Sequence, residues 1–155
     1  MTWQSSTQTM PFRASTILIE FTVPGEPVAK GRARAFIRCG KIGHYTPDKT
    51  AHYEDLVRLF ASRAMGNKPL MTEAVSLTVD AFFSIPRSWS VHKQEDAEVM
   101  KIRHLKKPDL TNILKSVEDA MNGVVWVDDS QVIQIRASKH YSRIPYVRIR
   151  AEQVL

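Results

Sequence analysis

Residues 106–131, which read KKPDLTNILKSVEDAMNGVVWVDDSQ, contain a helical pattern with acidic residues before and after it. Apolar residues recur there at i, i+3, i+4, i+7 and i+11, the spacing of one face of an amphipathic helix. These residues are Leu110, Ile113, Leu114, Val117 and Met121. Asn122 and Gly123 follow as a typical helix stop. We therefore predict a helix between Asp109 and Asn122 that packs one face on the core.

Alternating apolar residues around this helix predict strands. The strands are predicted at 16–25, 31–38, 44–47, 73–86, 132–141 and 145–152, and 124–131 reads as a short apolar strand that runs into a turn. A second helix is predicted over 50–67. The last two strands are expected to form a hairpin around 142–145, and 87–107 to be a loop with one helical turn.

The main elements follow the order β-β-β-α-β-α-β-β, which predicts an α+β fold. We expect a single mixed β-sheet with two main helices packed on one of its faces. The chain has 155 residues, which favours one domain over 16–155. Residues 1–15 are polar and are predicted to be a flexible tail.

The chain is basic, with 22 lysines and arginines against 16 acidic residues. Such a balance favours an anionic partner, most often nucleic acid, although a solvated basic surface explains the charge equally well. The one cysteine, Cys39, excludes an internal disulfide and a cysteine-based zinc site. The sequence has no apolar run of transmembrane length and no signal peptide, so no membrane partner and a cytoplasmic location are expected.

The acids that flank the predicted helix have two interpretations. Asp109 is well placed for an N-cap, and Asp128 with Asp129 is typical of a turn. The same acids are oxygen ligands of the kind that Mg²⁺ prefers. A nearby lysine would then neutralise charge on a phosphate in the transition state. Residue spacing leaves both interpretations open.

One polar stripe runs along the border of the apolar face of this helix. It consists of Thr111, Lys115, Glu118 and Asn122. Polar groups at such a border are partly buried, where charges interact more strongly than in water. In the simplest interpretation, Lys115 and Glu118 are only an i,i+3 surface pair, which contributes a few tenths of a kcal/mol.

Two segments together resemble the RusA family of Holliday junction resolvases. KPDLTNILKSVEDAMNGVVWVDDSQV (107–132) is similar to the family's acidic signature and closing strand. PVAKGRARAFIRCGKIGHYTPDKTAHYEDLV (27–57) is similar to its N-terminal basic strand, turn and first helix. The resemblance covers most of the chain from Thr16 onward, in the same order. It implies a small homodimeric endonuclease, of a family often encoded by prophages, that cuts four-way DNA junctions by paired nicks.

The resemblance also implies roles for individual residues. Asp109, Lys115 and Asp129 match essential family positions, and Mg²⁺, with Mn²⁺ as a substitute, would be held by Asp109 and Asp129 with Asp128 beside them. No small-molecule cofactor is implied. DNA contacts are expected from Lys30, Arg32, Arg34, Lys106, Lys107 and Asn112.

Thr111 departs from the family pattern, because an aspartate usually stands at its position. A hydroxyl is a poorer Mg²⁺ ligand than a carboxylate. We hypothesise that Glu118, on the same stripe about 10 Å further along the helix axis, replaces the missing acid directly or through water. If it does not, the chain is expected to bind branched DNA with weakened cleavage or none. A third interpretation is a nuclease for flaps or replication forks.

Overall fold

The computed structural model describes residues 16–45 and 47–154, and its centre is a mixed four-stranded sheet with helices on one face. The elements, in chain order, are β1 (Leu18–Pro24), β2 (Arg34–Arg38), β3 (Lys41–Tyr45), α1 (Asp48–Met65), β4 (Ala74–Ser84), α2 (Val91–Glu98), α3 (Leu110–Met121), a 3₁₀ turn (Asp129–Gln131), β5 (Val132–Ser142) and β6 (Tyr146–Val154). The α+β class with a mixed sheet is confirmed. The predicted tail at 1–15 lies outside the described residues.

The strand order in the main sheet is β1-β6-β4-β5, and β2 and β3 form a separate two-stranded ribbon. β4 runs antiparallel to β6 and parallel to β5. The predicted hairpin between the last two strands is therefore wrong, because β4 lies between them. A parallel pair needs a crossover connection, which α2 and α3 supply between β4 and β5. Residues 143–145 then cross the end of β4 to reach β6.

The core lies between the sheet and the helices α1 and α3. Strand alternation sends Leu77 and Val79 of β4 and Ile149 of β6 into it, and all three are fully buried. The helices contribute Val57 and Ile113, which are also fully buried. The opposite face of the sheet is polar, so α1 and α3 cover only one face, as predicted.

Two segments between these elements differ from the prediction. Residues 91–98 form the two-turn helix α2, which begins at Ser90, whose hydroxyl accepts a hydrogen bond from the Lys93 backbone N–H at 3.3 Å. Only Ala97 of this helix is buried, so the sequence shows no apolar stripe there. The short strand predicted at the start of 124–131 is instead irregular, with Val125 and Trp126 fully buried, and the predicted turn after it is the 3₁₀ turn.

Candidate functional site

Asp109 stands at the start of α3 in extended backbone conformation, at the N-cap position. Its carbonyl oxygen accepts hydrogen bonds from the backbone N–H groups of Asn112 and Ile113, which begin the helix. Its exposed carboxylate makes no capping hydrogen bond, so helix capping does not fix this carboxylate in place. The side chain is therefore available to a ligand from solvent.

A residue of the core holds Asp129 in place. The Nε1–H of Trp126 donates a hydrogen bond to Asp129 Oδ1 at 3.0 Å, and Trp126 is fully buried. A buried indole N–H needs a partner, because leaving it unpaired costs about 1–3 kcal/mol. Trp126 is thus a core residue whose polar atom also orients an acid at the surface.

Asp128 has a structural part in the same turn. Its carboxylate accepts a hydrogen bond from the Ser130 backbone N–H at 2.8 Å. Hydrogen bonding by the Ser130 side chain, and then by this backbone N–H, lowers the pKa of Asp128. The side chain of Gln131 accepts from the Asp128 backbone N–H and donates to the carbonyls of Met71 and Glu73. The turn is thus fastened to the segment before β4, which fixes where Asp129 stands.

A charged network joins α3 to α1 beside this turn. Asp119 of α3 pairs with Lys115 at 3.1 Å and with Lys30 at 2.9 Å, and Lys30 also contacts Glu54 of α1 at 2.5 Å. Partial burial opposes the charged form of Asp119, but the hydrogen bonds from both lysines outweigh it and lower the pKa of this acid. The hydrogen bond from Lys115 to Asp119 in turn raises the pKa of Lys115. The network keeps Lys115 charged and limits its orientations.

Glu118 lies close enough to Asp129 for the two carboxylates to repel each other. The pKa of Glu118 is raised, first by its partial burial and then by the negative charges of Asp129 and Asp119, against the opposing effect of Lys115. Two acids held together without a shared hydrogen bond create a negative potential that favours a cation. The charges of Lys115, Glu118 and Asp129 therefore influence one another.

Asp109 is further from Glu118, because nine residues of helix separate them by roughly 13 Å of axial rise. Within 16–45 and 47–154, no three His, Cys, Asp or Glu side chains gather as a ready-made metal cluster. The carboxylates present suit a hard cation such as Mg²⁺, which commonly keeps waters and takes phosphate oxygens as further ligands. The carboxylates are therefore suitable ligands for Mg²⁺, and the protein would supply only a few of its ligands.

The residues predicted to contact DNA fall into two groups. Arg32, Arg34, Lys106, Lys107 and Asn112 are all exposed. Lys30 is instead occupied by Glu54 and Asp119, so the structure gives it a role inside the protein. Lys139, which the sequence did not single out, donates to the carbonyl oxygens of Lys106 and Pro108 at 2.8 and 3.0 Å and supports the approach to Asp109.

Sequence reasoning also missed Asp119 and Glu54. Asp119 stands four residues after Lys115, a spacing at which opposite charges meet on a helix, so this pair was visible in principle. Glu54 lies on another helix, and no local pattern links it to Lys30.

Comparison with known proteins identifies the family of the chain. Residues 24–152 match the family model described as Endodeoxyribonuclease RusA. The chain belongs to the RusA family. This RusA-family protein is also 40% identical over 140 residues to an uncharacterized protein, YqaN, from Bacillus subtilis (strain 168), with 88% of this chain and 96% of that protein covered. The resemblance in the sequence is confirmed, and with it membership of a family of endodeoxyribonucleases. No helix of the described part is long and apolar enough to cross a membrane.

Proposed function

We propose that this protein is a Mg²⁺-dependent endonuclease that resolves four-way DNA junctions by paired nicks. The observation that carries the proposal is Asp129, which the buried Trp126 orients and whose charge interacts with those of Glu118 and Lys115. Family membership supports DNA cleavage, and the basic balance of the chain supports a DNA substrate. A cytoplasmic location is part of the same proposal.

In this proposal Asp109 and Asp129 hold the ion between the start of α3 and the 3₁₀ turn. A bound Mg²⁺ or Mn²⁺ supplies a Lewis acid that lowers the pKa of a coordinated water and neutralises phosphate charge. Lys115 stabilises the negative charge that develops on the phosphate, while Asp119 keeps its ammonium charged and aimed. Hydrolysis breaks the P–O3′ bond, and the products carry a 5′-phosphate and a 3′-hydroxyl.

In this proposal Glu118 takes the role of the aspartate that the family usually has at the position of Thr111. Glu118 interacts with the charge of Asp129 but is distant from Asp109 along the helix, so it would help to hold the ion indirectly. Glu118→Gln is expected to keep cleavage at high Mg²⁺ and to raise the Mg²⁺ concentration needed for half-maximal rate. A Mg²⁺ titration of the nicking rate measures this shift. The structure pairs Lys115 with Asp119 and not with Glu118, so an unchanged titration for Glu118→Gln would show that Glu118 takes no part in holding the ion.

A homodimer is proposed with this function. A four-way junction is nearly two-fold symmetric, so two copies related by a two-fold axis place one site on each of two opposite strands. Sedimentation of the free protein and of its junction complex tests this: two chains per junction are expected. One chain per junction would contradict paired nicking.

The direct test of the activity is incubation with a mobile four-way junction, with and without Mg²⁺. Symmetrical nicks that appear only with the metal are expected, and a linear duplex of the same sequence is the control substrate. A flap or replication fork cut faster than the junction would favour the third interpretation.

A second function is favoured by Thr111, which replaces a charged ligand with a neutral hydroxyl at an exposed position of α3. In that case the protein binds branched DNA without cutting it. Salt-sensitive junction binding with no nicking at any Mg²⁺ or Mn²⁺ concentration would establish this alternative.

A further inference from the structure

The ribbon of β2 and β3 is exposed on both faces. It stands apart from the main sheet, and every residue of its two strands except Gly43 is exposed. An isolated two-stranded ribbon is only marginally stable in water. The exposed ribbon is therefore better suited to contacting a partner than to supporting the fold. Between Pro27 and Pro47 the chain has no acidic residue and carries five positive side chains, namely Lys30, Arg32, Arg34, Arg38 and Lys41.

The pairing register gives the ribbon two different faces. Residues directly opposite each other share a face, and neighbours along a strand point to opposite faces. One face is aromatic and basic, and it carries Arg34 opposite Tyr45, Phe36 opposite Gly43, and Arg38 opposite Lys41. The other face carries Ala35 opposite His44 and Ile37 opposite Ile42. The charge is thus concentrated around the aromatic rings.

Phe36 lies over Gly43. A Cβ added to Gly43 would come within 2.5 Å of the Phe36 ring, so the absence of a side chain there is what allows the ring to lie against the backbone. Tyr45 is the neighbouring aromatic, with ring centroids 6.3 Å apart. Both side chains are still open to solvent, at 45% for Phe36 and 44% for Tyr45.

Packing explains part of this arrangement, since an aromatic ring over a strand glycine covers otherwise bare backbone. It does not explain why three cationic side chains share that face with two half-exposed rings. Aromatic side chains flanked by positive charge are the usual platform for single-stranded nucleic acid, in which bases stack on the rings and phosphates meet the cations. The combination fits a nucleobase on the rings and its phosphates on the cations.

The base of the ribbon is fastened to the candidate site. The Lys30 backbone N–H donates to the Asn112 carbonyl of α3 at 2.8 Å, and the Gly31 backbone N–H donates to Thr50 Oγ1 of α1 at 3.1 Å. Phe36 is six residues beyond Lys30, which is at most roughly 20 Å at the rise of extended chain. That span corresponds to about six base steps along one strand.

We propose that Phe36, with Tyr45 beside it, is a stacking platform for an unpaired base at the centre of branched DNA, and that Arg34, Arg38 and Lys41 contact the phosphates around it. The inference rests on the proposed function and deepens it, because it names the residue that distinguishes a branch from a duplex. A linear duplex keeps its bases stacked inside and offers none to the ring. Stacking tolerates any base, so the platform reads structure rather than sequence.

The test compares affinities for an open four-way junction and for a linear duplex of the same sequence, in EDTA so that neither is cut. Phe36→Ala is expected to weaken junction binding roughly 5- to 150-fold, the range for loss of one stacked base, and to leave duplex binding unchanged. Ile37→Ala is the matched control, because it removes an apolar side chain that is 77% exposed on the other face of the same strand. It should alter neither affinity.

Gly43→Ala provides a second variant that keeps the aromatic residue. Its new methyl group would force the Phe36 ring away from the ribbon, so junction preference should fall while Phe36→Trp retains it. If wild-type protein binds junction and duplex equally, the proposed function and the inference both fail. If wild type prefers and cuts junctions but Phe36→Ala and Gly43→Ala keep that preference, the inference alone is overturned. A change in sedimentation of Phe36→Ala without DNA would also overturn it, since the face would then contact a second copy.

Discussion

The acid–lysine cluster and the β2–β3 ribbon are both expected to meet DNA, yet they are built in opposite ways. The cluster comprises Lys115, Glu118, Asp119 and Asp129, and it is fastened to buried groups and to a second helix. The ribbon has almost all of its residues in solvent and is fastened only at its base. Chemistry on one phosphate requires fixed charges, whereas recognition of a branched and mobile substrate is compatible with an exposed surface.

The largest effect is expected from Asp129→Asn, which removes the charge that the cluster is built around. The nicking rate with Mg²⁺ should fall by about 100-fold or more, a loss comparable to that of other transition-state charge contacts. Junction binding in EDTA should be retained, because the ribbon is untouched. Asp128→Asn, one residue earlier and on the exposed side of the turn, is the control and should keep most of the activity. Equal loss in both variants would place the effect in the turn rather than in the site.

The next effect is expected from Trp126→Phe, which keeps a buried aromatic ring but removes the N–H that orients Asp129. Lost packing and the lost hydrogen bond should lower the free energy of unfolding by about 1–3 kcal/mol, measured by urea denaturation. The nicking rate per folded molecule should also fall. Trp89→Phe makes the same chemical change in a half-buried tryptophan that packs against Tyr141, and it should spare the nicking rate.

Asp119→Asn tests whether the network acts through Lys115. The change removes the negative charge of Asp119, and with it the charge-assisted hydrogen bond that raises the pKa of Lys115. This lysine should therefore lose its proton at lower pH, and the alkaline limb of the pH–rate profile should move to lower pH. The lowered pKa of Asp119 implies stability that is present above its ordinary value of 3.8 and lost as the pH falls through the folded-state pKa. The variant should therefore lose less stability than wild type on acidification.

The control for Asp119→Asn is Asp55→Asn, which breaks an exposed pair with Arg58 on the outer side of α1. Such surface pairs contribute about 0–1 kcal/mol, and neither the pH–rate profile nor acid stability should change. An alkaline limb that stays in place for Asp119→Asn would mean that Asp119 supports the fold but does not position Lys115.

The smallest effect is expected from Arg34→Ala in the ribbon. Loss of one phosphate contact should weaken binding to junction and duplex alike and reduce the slope of log affinity against log salt by about one. Binding titrations at several salt concentrations measure that slope. Arg63→Ala is the control, because Arg63 lies in α1, outside the ribbon. This variant should leave the salt slope unchanged. A selective loss of junction binding in Arg34→Ala would contradict a phosphate contact.

Local patterns in the sequence were sufficient for most of the fold. The apolar stripe of α3 and the alternation in β4 each repeat within a few residues, so periodicity identifies them without knowledge of the rest of the chain. The resemblance to RusA likewise came from two continuous segments. α2 was missed as a helix because its one buried residue, Ala97, leaves no periodic signal.

The sequence by itself determined the amphipathic α3, the alternating strands, the acids at both ends of α3 and the family. The tertiary structure alone decided that β5 lies beside β4 and not β6, that Lys30 binds Glu54 and Asp119 rather than standing free, and that Trp126 orients Asp129. The physical reason is the separation along the chain of the residues that interact. Periodicity records which face of an element is apolar, but the partner of that face and of each charge is chosen by packing among segments distant in the chain.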